Sequence, residues 1–349
     1  MAQEEARTQS LRVAVVGAGA FGRNHLRVLK ELEQAGQAVE LVGVVDRDAA
    51  AVAAAAEKFS VPGFETIEAC LSAVGQLDAA SVCVPTVHHA SAAAALLAAG
   101  VDVLIEKPLA ASLADADLIL ELARKHERIV QVGHLERFNP AVTAARQHLN
   151  KPMFFEAHRL SIFTARSLDV DVVLDLMIHD LDIVLSLVAS PVREVRAVGL
   201  PVLSRKVDIA NVRVEFENGC IANFTASRVS TERVRKLRFF QPYQYLSLDF
   251  ARQDLLMIDV TAAAGMDPAM LAAMAERAQQ AGGHPSAGLS LKKVAVELGE
   301  PLRLEIEAFL QAVRTRTRPV VSGEDGRDAL ALALEINEAI AVHAERAGL

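Results

Sequence analysis

The stretch Arg12-Val-Ala-Val-Val-Gly17-Ala18-Gly19-Ala20-Phe21-Gly22-Arg-Asn-His25-Leu26 decides the fold. An apolar run, Arg12–Val16, leads into glycines spaced G-x-G-x-x-G. A stripe of Leu26, Leu29 and Leu32 at helical period follows and stops near Gly36. The first glycine permits a tight turn, the second lets backbone approach a pyrophosphate, and the third lets helix and strand pack closely. The helix start offers unpaired amide hydrogens to phosphates. Gly17, Gly19, Ala20, Phe21 and Gly22 are therefore expected to cradle a dinucleotide.

Outward from this turn, short apolar strands alternate with helical stretches. Leu41–Val45, Ala80–Val84, Val103–Ile105 and Ile129–Val132 are continuous apolar runs, the signature of a parallel sheet covered on both faces. The fold class expected is α/β: a doubly wound Rossmann domain over 11–133, followed by an α+β domain over 134–349. Polar or turn residues fall just past the strands, at Gly17, Asp46, Pro85-Thr86, Glu106-Lys107-Pro108 and Gly133-His134. In an open parallel sheet these ends share one edge, where ligands bind. A carboxylate at Asp46 can accept both ribose hydroxyls and repels a 2′-phosphate, which favours NAD over NADP. Arg47 pulls the other way, since it can stack on adenine or pair with a 2′-phosphate. Lys107, ending a buried strand, can orient a substrate oxygen or ease its deprotonation; pairing with Glu106 at the solvent edge stays open.

Past residue 150 the pattern becomes strand after strand: 195–199, 211–217, 221–227, 237–240 and 245–249, with a hairpin turn at Glu217-Asn218-Gly219. This predicts a large, mostly antiparallel open sheet. Residues 261–290 form an alanine- and glycine-rich insertion, and helices over about 303–315 and 325–345 close the chain. Between residues 171 and 186, apart from Asp180, the polar residues Asp171, Asp175, His179, Asp182 and Ser186 step by four, four, three and four, so they line one face of a helix that is otherwise apolar. A polar stripe on a buried helix must be hydrogen-bonded or functional. Asp175 can orient His179, which then suits removal of a hydroxyl proton. A satisfied polar network, or a metal held by Asp175, His179 and Asp182, remains open; no histidine or cysteine cluster accompanies them, so no metal is expected.

Bulk properties narrow the partners. A chain of 349 residues suits about two domains, and a net charge of -8 argues against nucleic acid or an anionic membrane. Cys70, Cys83 and Cys220 form no CxxC pair, which fits a reducing cytoplasm. Val82–Val101 lacks charge but is broken by Pro85, His88, His89 and Ser91, so no membrane span is expected, and residues 1–10 read as a disordered tail.

The segments VVGAGAFGRNH (15–25), VPTVHHA (84–90), EKPLA (106–110), VGHLERFNP (132–140), DLMIHDLD (175–182) and SGEDGRDAL (322–330) together resemble the Gfo/Idh/MocA family of sugar and inositol oxidoreductases. The resemblance implies a catalytic group of Lys107, Asp175 and His179, with Pro85, Thr86 and His89 along the cofactor edge. It also implies homodimers or homotetramers formed through the C-terminal sheet. The family pattern D-x-G-x-H carries Met177 in place of glycine here, which is expected to reshape the pocket. Several segments look like the UDP-N-acetylglucosamine 3-dehydrogenase subgroup, which oxidises a nucleotide-sugar 3-hydroxyl to a ketone on the way to amide-linked lipid A. A diphosphate needs cations, and Arg137, Arg159, Arg166 and Arg228 are candidates, with His134 beside the substrate; surface charges are the alternative.

Overall fold

The computed structural model describes residues 10–163, 170–261, 266–280 and 290–348. It comprises two compact units, Met1–Phe138 with Glu300–Ala331, and Asn139–Gly299 with Leu332–Leu349.

In the first unit, strands β1 (Leu11–Val16), β2 (Val39–Val45), β3 (Gly63–Phe64), β4 (Ala79–Val82), β5 (Asp102–Glu106) and β6 (Val130–Gly133) lie in the order β3-β2-β1-β4-β5-β6. Every pairing is parallel. Helices α1 (Ala20–Gln34), α2 (Ala49–Phe59), α3 (Ile67–Val74), α4 (His89–Ala98) and α5 (Leu113–Lys125) connect them. The starts of α2, α3 and α5 are set by side-chain caps: Asp48 accepts from Ala50 N at 3.0 Å, Thr66 from Ala69 N at 3.1 Å, and Ser112 from Asp115 N at 3.1 Å. The expected strand-and-helix alternation is present, and the unit's first segment runs to Phe138, but Glu300–Ala331 is added to it. The helix Pro301–Thr315 returns to it. Its Ile306, Phe309, Leu310 and Val313 share one buried cluster with Val13, Val15, Leu26, Leu29 and Leu104. Burying each such side chain contributes about 1.5–3 kcal/mol. That burial claims a segment which sequence order alone assigns to the second domain.

The second unit is built on an eight-stranded sheet. Its strands are β7 (Phe154–Ile162), β8 (Val192–Leu200), β9 (Ile209–Phe216), β10 (Ile221–Ser230), β11 (Val234–Gln241), β12 (Gln244–Asp249), β13 (Asp254–Asp259) and β14 (Ser290–Val294). They run in the order β14-β13-β12-β11-β7-β10-β9-β8. All neighbours are antiparallel except β7 and β10. Helices α6 (Pro140–Arg146), α7 (Ile178–Val188) and α8 (Pro268–Gln280) belong to the same unit. Alternation sets the faces: Phe155, Ala157 and Arg159 of β7 are buried while Phe154, Glu156 and His158 are half-exposed. Strands β7, β13 and β14 are additions to the sequence-based expectation, and the predicted insertion contains α8. Among the described residues, no helix is long and apolar enough to cross a membrane.

Candidate active site

The glycine turn has the geometry its spacing predicts. Gly17 sits at φ +109°, and a Cβ there would stand 2.5 Å from Cys83 O; a Cβ on Gly22 would stand 1.7 Å from Gly17 O. Neither position admits a side chain. Gly19 is the opposite case, since nothing lies within 4 Å of its missing Cβ. The loop is thus tight underneath and open above, which fits a pyrophosphate laid over the N-terminus of α1. Asp46 does more than the sequence suggests. Its Oδ2 accepts from Ala18 N at 2.7 Å and its Oδ1 from Asp48 N at 3.0 Å, so the carboxylate also holds the phosphate loop. Beside it lies a cleft of about 340 Å³ lined by Val16, Val45, Arg47, Pro85 and His88 among others, the size of a nucleoside seat. Arg47 Nη1 lies 3.4 Å from His88 Nε2. Glu65, Thr66 and Glu68 also line this cleft, and sequence reasoning missed them because β3 is too short to register as a strand.

Along the same strand edge, Lys107 is half-buried and its bond to Pro108 is cis. Glu106 is 7% exposed; its Oε1 accepts from His25 Nε2 at 2.8 Å and its Oε2 from Lys107 N at 3.3 Å. His25 lies on the buried, apolar face of α1, and sequence reasoning assigned it no role. The available signal was an imidazole in a stripe of leucines. The ring nitrogens of His89 lie 2.9 Å from Pro108 O and 3.0 Å from Val84 O, and burial holds its pKa below the ordinary histidine value. As a neutral ring with a single N–H, His89 sits between two loop backbones and donates to one of these carbonyls, its tautomer choosing which. Thr86 opens a short 3-10 turn just before α4, and His134, at the end of β6, is fully buried. Burial, followed by the charges of Lys107 and Arg137, pushes His134 down to about 3, so it is a neutral ring. Arg137 is 8% exposed and donates to Val320 O at 3.1 Å.

The second unit carries the polar stripe. Asp171 caps it as expected, accepting from Val173 N at 2.9 Å and Leu174 N at 3.0 Å. The helix is not uniform: Val173–Met177 is a π-helical turn, and α7 follows. Such wide turns recur at functional sites, and this one carries Asp175 immediately ahead of His179. Both are half-buried, whereas Asp182 is 2% exposed. Met177, which replaces the family glycine, is 1% exposed and spends its bulk in the core.

The arginines behave differently from expectation. Arg159 is 3% exposed and donates to Asp180 through Nε at 2.9 Å and Nη2 at 2.8 Å, a bidentate buried pair. Arg228 donates to Val170 O at 2.6 Å and lies 3.9 Å from both Asp175 Oδ2 and Asp208 Oδ1. Neither is the solvent-facing cation that a diphosphate would meet. Arg166 lies outside the described residues. Among the described residues, the one grouping with metal-like donors is His25, Cys83 and Glu106 rather than the expected alternative of Asp175, His179 and Asp182.

Residues 11–134 match the oxidoreductase family with an NAD-binding Rossmann fold, and residues 139–240 match the GFO/IDH/MocA C-terminal domain. The chain is 34% identical over 337 residues to UDP-N-acetylglucosamine 3-dehydrogenase of Acidithiobacillus ferrooxidans, covering 96% of this chain and 99% of that protein. The solved structure of that enzyme superposes with a TM-score of 0.82 at 32% identity, covering 95% of this chain and 98% of the other. Inositol 2-dehydrogenase of Acidothermus cellulolyticus is 31% identical over 199 residues, 54% of this chain and 57% of that protein. Levoglucosan dehydrogenase in complex with NADH and levoglucosan shares the fold, with a TM-score of 0.79 at 16% identity over 95% of this chain and 98% of the other. With its glycine cradle, its strand-edge lysine and its downstream Asp175 and His179, the chain belongs to the Gfo/Idh/MocA family of NAD-dependent oxidoreductases.

Proposed function

We propose that this protein oxidises the 3-hydroxyl of UDP-N-acetylglucosamine to a ketone. The observation that carries the substrate is end-to-end likeness to a UDP-N-acetylglucosamine 3-dehydrogenase, over 96% of this chain. The glycine cradle would hold NAD, which would supply the acceptor for the hydride leaving the sugar carbon. His179 removes the hydroxyl proton, so the alcohol loses one hydride and one proton and becomes a carbonyl. Asp175 orients the imidazole, and Lys107 stabilises the oxygen as negative charge develops on it. Gly17, Gly19, Ala20, Phe21 and Gly22 hold the pyrophosphate, while Asp46, Arg47, Pro85 and Thr86 hold the adenosine end. His134 and Arg137, the other residues expected beside the substrate, are fully buried and 8% exposed respectively, and Arg137 is engaged by Val320 O, so both support this edge from within rather than meet the substrate. The diphosphate falls to cations other than Arg159 and Arg228, whose guanidiniums are already engaged.

A homodimer or homotetramer through the open sheet face belongs to the same reading. Ile221, Phe154, Phe240, Tyr245 and Ile258 face one another across five strands of the sheet. The aromatic centroids are 5.6 Å apart for Phe154 and Phe240, and 4.9 Å for Phe240 and Tyr245. That apolar stripe is the kind of surface a second copy covers. Three free thiols and the absence of a candidate span among the described helices support a cytoplasmic setting.

The test is NADH formation over a panel of UDP-N-acetylglucosamine, glucose and myo-inositol, with the mass in solution measured alongside. Turnover of the nucleotide sugar alone supports the reading; turnover of inositol alone replaces the substrate. NAD binding with no turnover of any sugar would recast the chain as a dinucleotide-sensing regulator. His179→Asn is expected to remove turnover and leave NAD affinity within about two-fold; a retained rate would remove His179 from the chemistry.

A further inference from the structure

The apolar face of α1 is an odd place for an imidazole. Leu26, Val28, Leu29 and Leu32 around it are at most 1% exposed, and His25 is itself fully buried. Its Nδ1 meets no hydrogen-bond partner, so a leucine there would pack at lower cost. What the imidazole does have is Glu106. His25 Nε2 donates to Glu106 Oε1 at 2.8 Å, while Glu106 Oε2 accepts from the backbone N–H of Lys107 at 3.3 Å. The seat for this carboxylate is made by a third residue. Gly133 pairs with Glu106 across β5 and β6, and a Cβ there would stand 3.1 Å from both Glu106 Cα and Oε2. On the far side, the carbonyl of Pro108 lies 2.9 Å from His89 Nδ1. The turn that carries Lys107 is thus clamped ahead of the lysine, and this clamp is anchored on the helix whose N-terminus makes the phosphate cradle.

We propose that His25 and Glu106 form a buried imidazole–carboxylate brace that positions Lys107 for the reaction. Neither residue of the brace needs to touch substrate for this; both act through the Lys107 backbone. A carboxylate is suited to the task because its two oxygens accept in different directions, one from the helix and one from the turn. The brace makes lysine placement depend on the same helix that seats the cofactor, so a loosened α1 also loosens the catalytic edge. This inference rests on Lys107 serving the proposed dehydrogenase, and its test separates the two.

Four variants would be compared with the parent: His25→Leu, Glu106→Gln, the double variant of these two, and His25→Gln, which keeps a donor near the position of Nε2. Each kcat would be normalised to NADH-binding sites, so that misfolded protein does not count. Each single loss is expected to lower kcat at least ten-fold with the KM for NAD changed less than three-fold. The double variant is expected to be no slower than the worse single, and His25→Gln to recover to within three-fold of the parent. A kcat per site within two-fold of the parent in both singles, or losses that multiply in the double, overturns the brace. A second readout needs no substrate. Reductive ¹³C-methylation labels the nine lysines, and the Lys107 resonance is assigned with Lys107→Arg. It is expected to move and sharpen towards a free side chain in His25→Leu and to stay in His25→Gln. An unmoved Lys107 signal refutes the brace even if no sugar proves to be a substrate; a moved signal with no turnover by the parent refutes only the proposed reaction.

Discussion

Replacing Asp180 by alanine tests the most consequential difference between the expected and observed sites. Sequence reasoning offers Arg159 to a substrate diphosphate; the structure engages it with Asp180 through hydrogen bonds of 2.9 and 2.8 Å, with both side chains 4% exposed. The guanidinium also lies 5.4 Å from the Phe250 ring centroid, so it packs over an aromatic face as well as being paired. Asp180→Ala leaves that cation buried without its counter-charge, which costs about 3–5 kcal/mol. For a unit of this size the midpoint moves by about 2–4 °C per kcal/mol, so the second unit should melt about 6–20 °C lower by calorimetry. The paired replacement Arg159→Met with Asp180→Leu removes both charges together and is expected to be neutral, or stabilising by about 1–4 kcal/mol. If Arg159 is structural, this double variant keeps its KM for the nucleotide sugar within about three-fold. Two outcomes refute the reasoning: a double variant as unstable as Asp180→Ala, or a stable one whose KM rises by more than about ten-fold.

Three further outcomes are expected. Gly22→Ala places a methyl group 1.7 Å from Gly17 O, so the turn must open; NAD binding should weaken at least about 100-fold by calorimetric titration, and a loss under about five-fold would contradict the cradle. Asp46→Ser removes the repulsion of a 2′-phosphate together with the bond to Ala18 N, so NAD affinity falls and the NAD-to-NADP preference in kcat/KM drops at least about ten-fold; an unchanged ratio refutes its selective role. His134 is pushed down to about 3 in the folded chain against an ordinary 6.5, so its neutral form favours folding. That contribution is complete above about pH 6.5 and declines towards pH 3 at about 1 kcal/mol per pH unit, and His134→Gln should flatten the fall in midpoint between pH 6.5 and 4.5. Parallel melting profiles would remove His134 as the source.

The strand-and-glycine grammar of the first unit was legible because its causes are local. A continuous apolar run, a glycine that must adopt positive φ and a helix stripe are each written within about fifteen residues. The same holds for Asp171 as a cap and for the strand runs that became β8 to β12. Strand β7 was invisible for the opposite reason. It occupies the sheet centre between β10 and β11, partners more than fifty residues downstream, and no hairpin turn marks either pairing. The return of Pro301–Thr315 to the first unit is likewise a matter of complementary burial, not of sequence order.

Sequence by itself determined that Gly17 to Gly22 form a dinucleotide turn, that Asp46 and Lys107 end parallel strands on one edge, and that Asp175 and His179 share a helix with a polar stripe. Each follows from short-range sterics and periodicity, which neighbours in the chain dictate. Only the tertiary structure decided what each charge does. Arg159 and Arg228 look alike as free cations in a string of residues, but burial obliges each to find a partner, and Asp180 and Asp208 supply one. His25 and Glu106 are 81 residues apart and mean nothing together until α1 packs beside β5 and makes them a single hydrogen-bonded pair. Desolvation is the reason for the difference: a polar group's role is set by what surrounds it once water is gone, and that is a property of the packed fold.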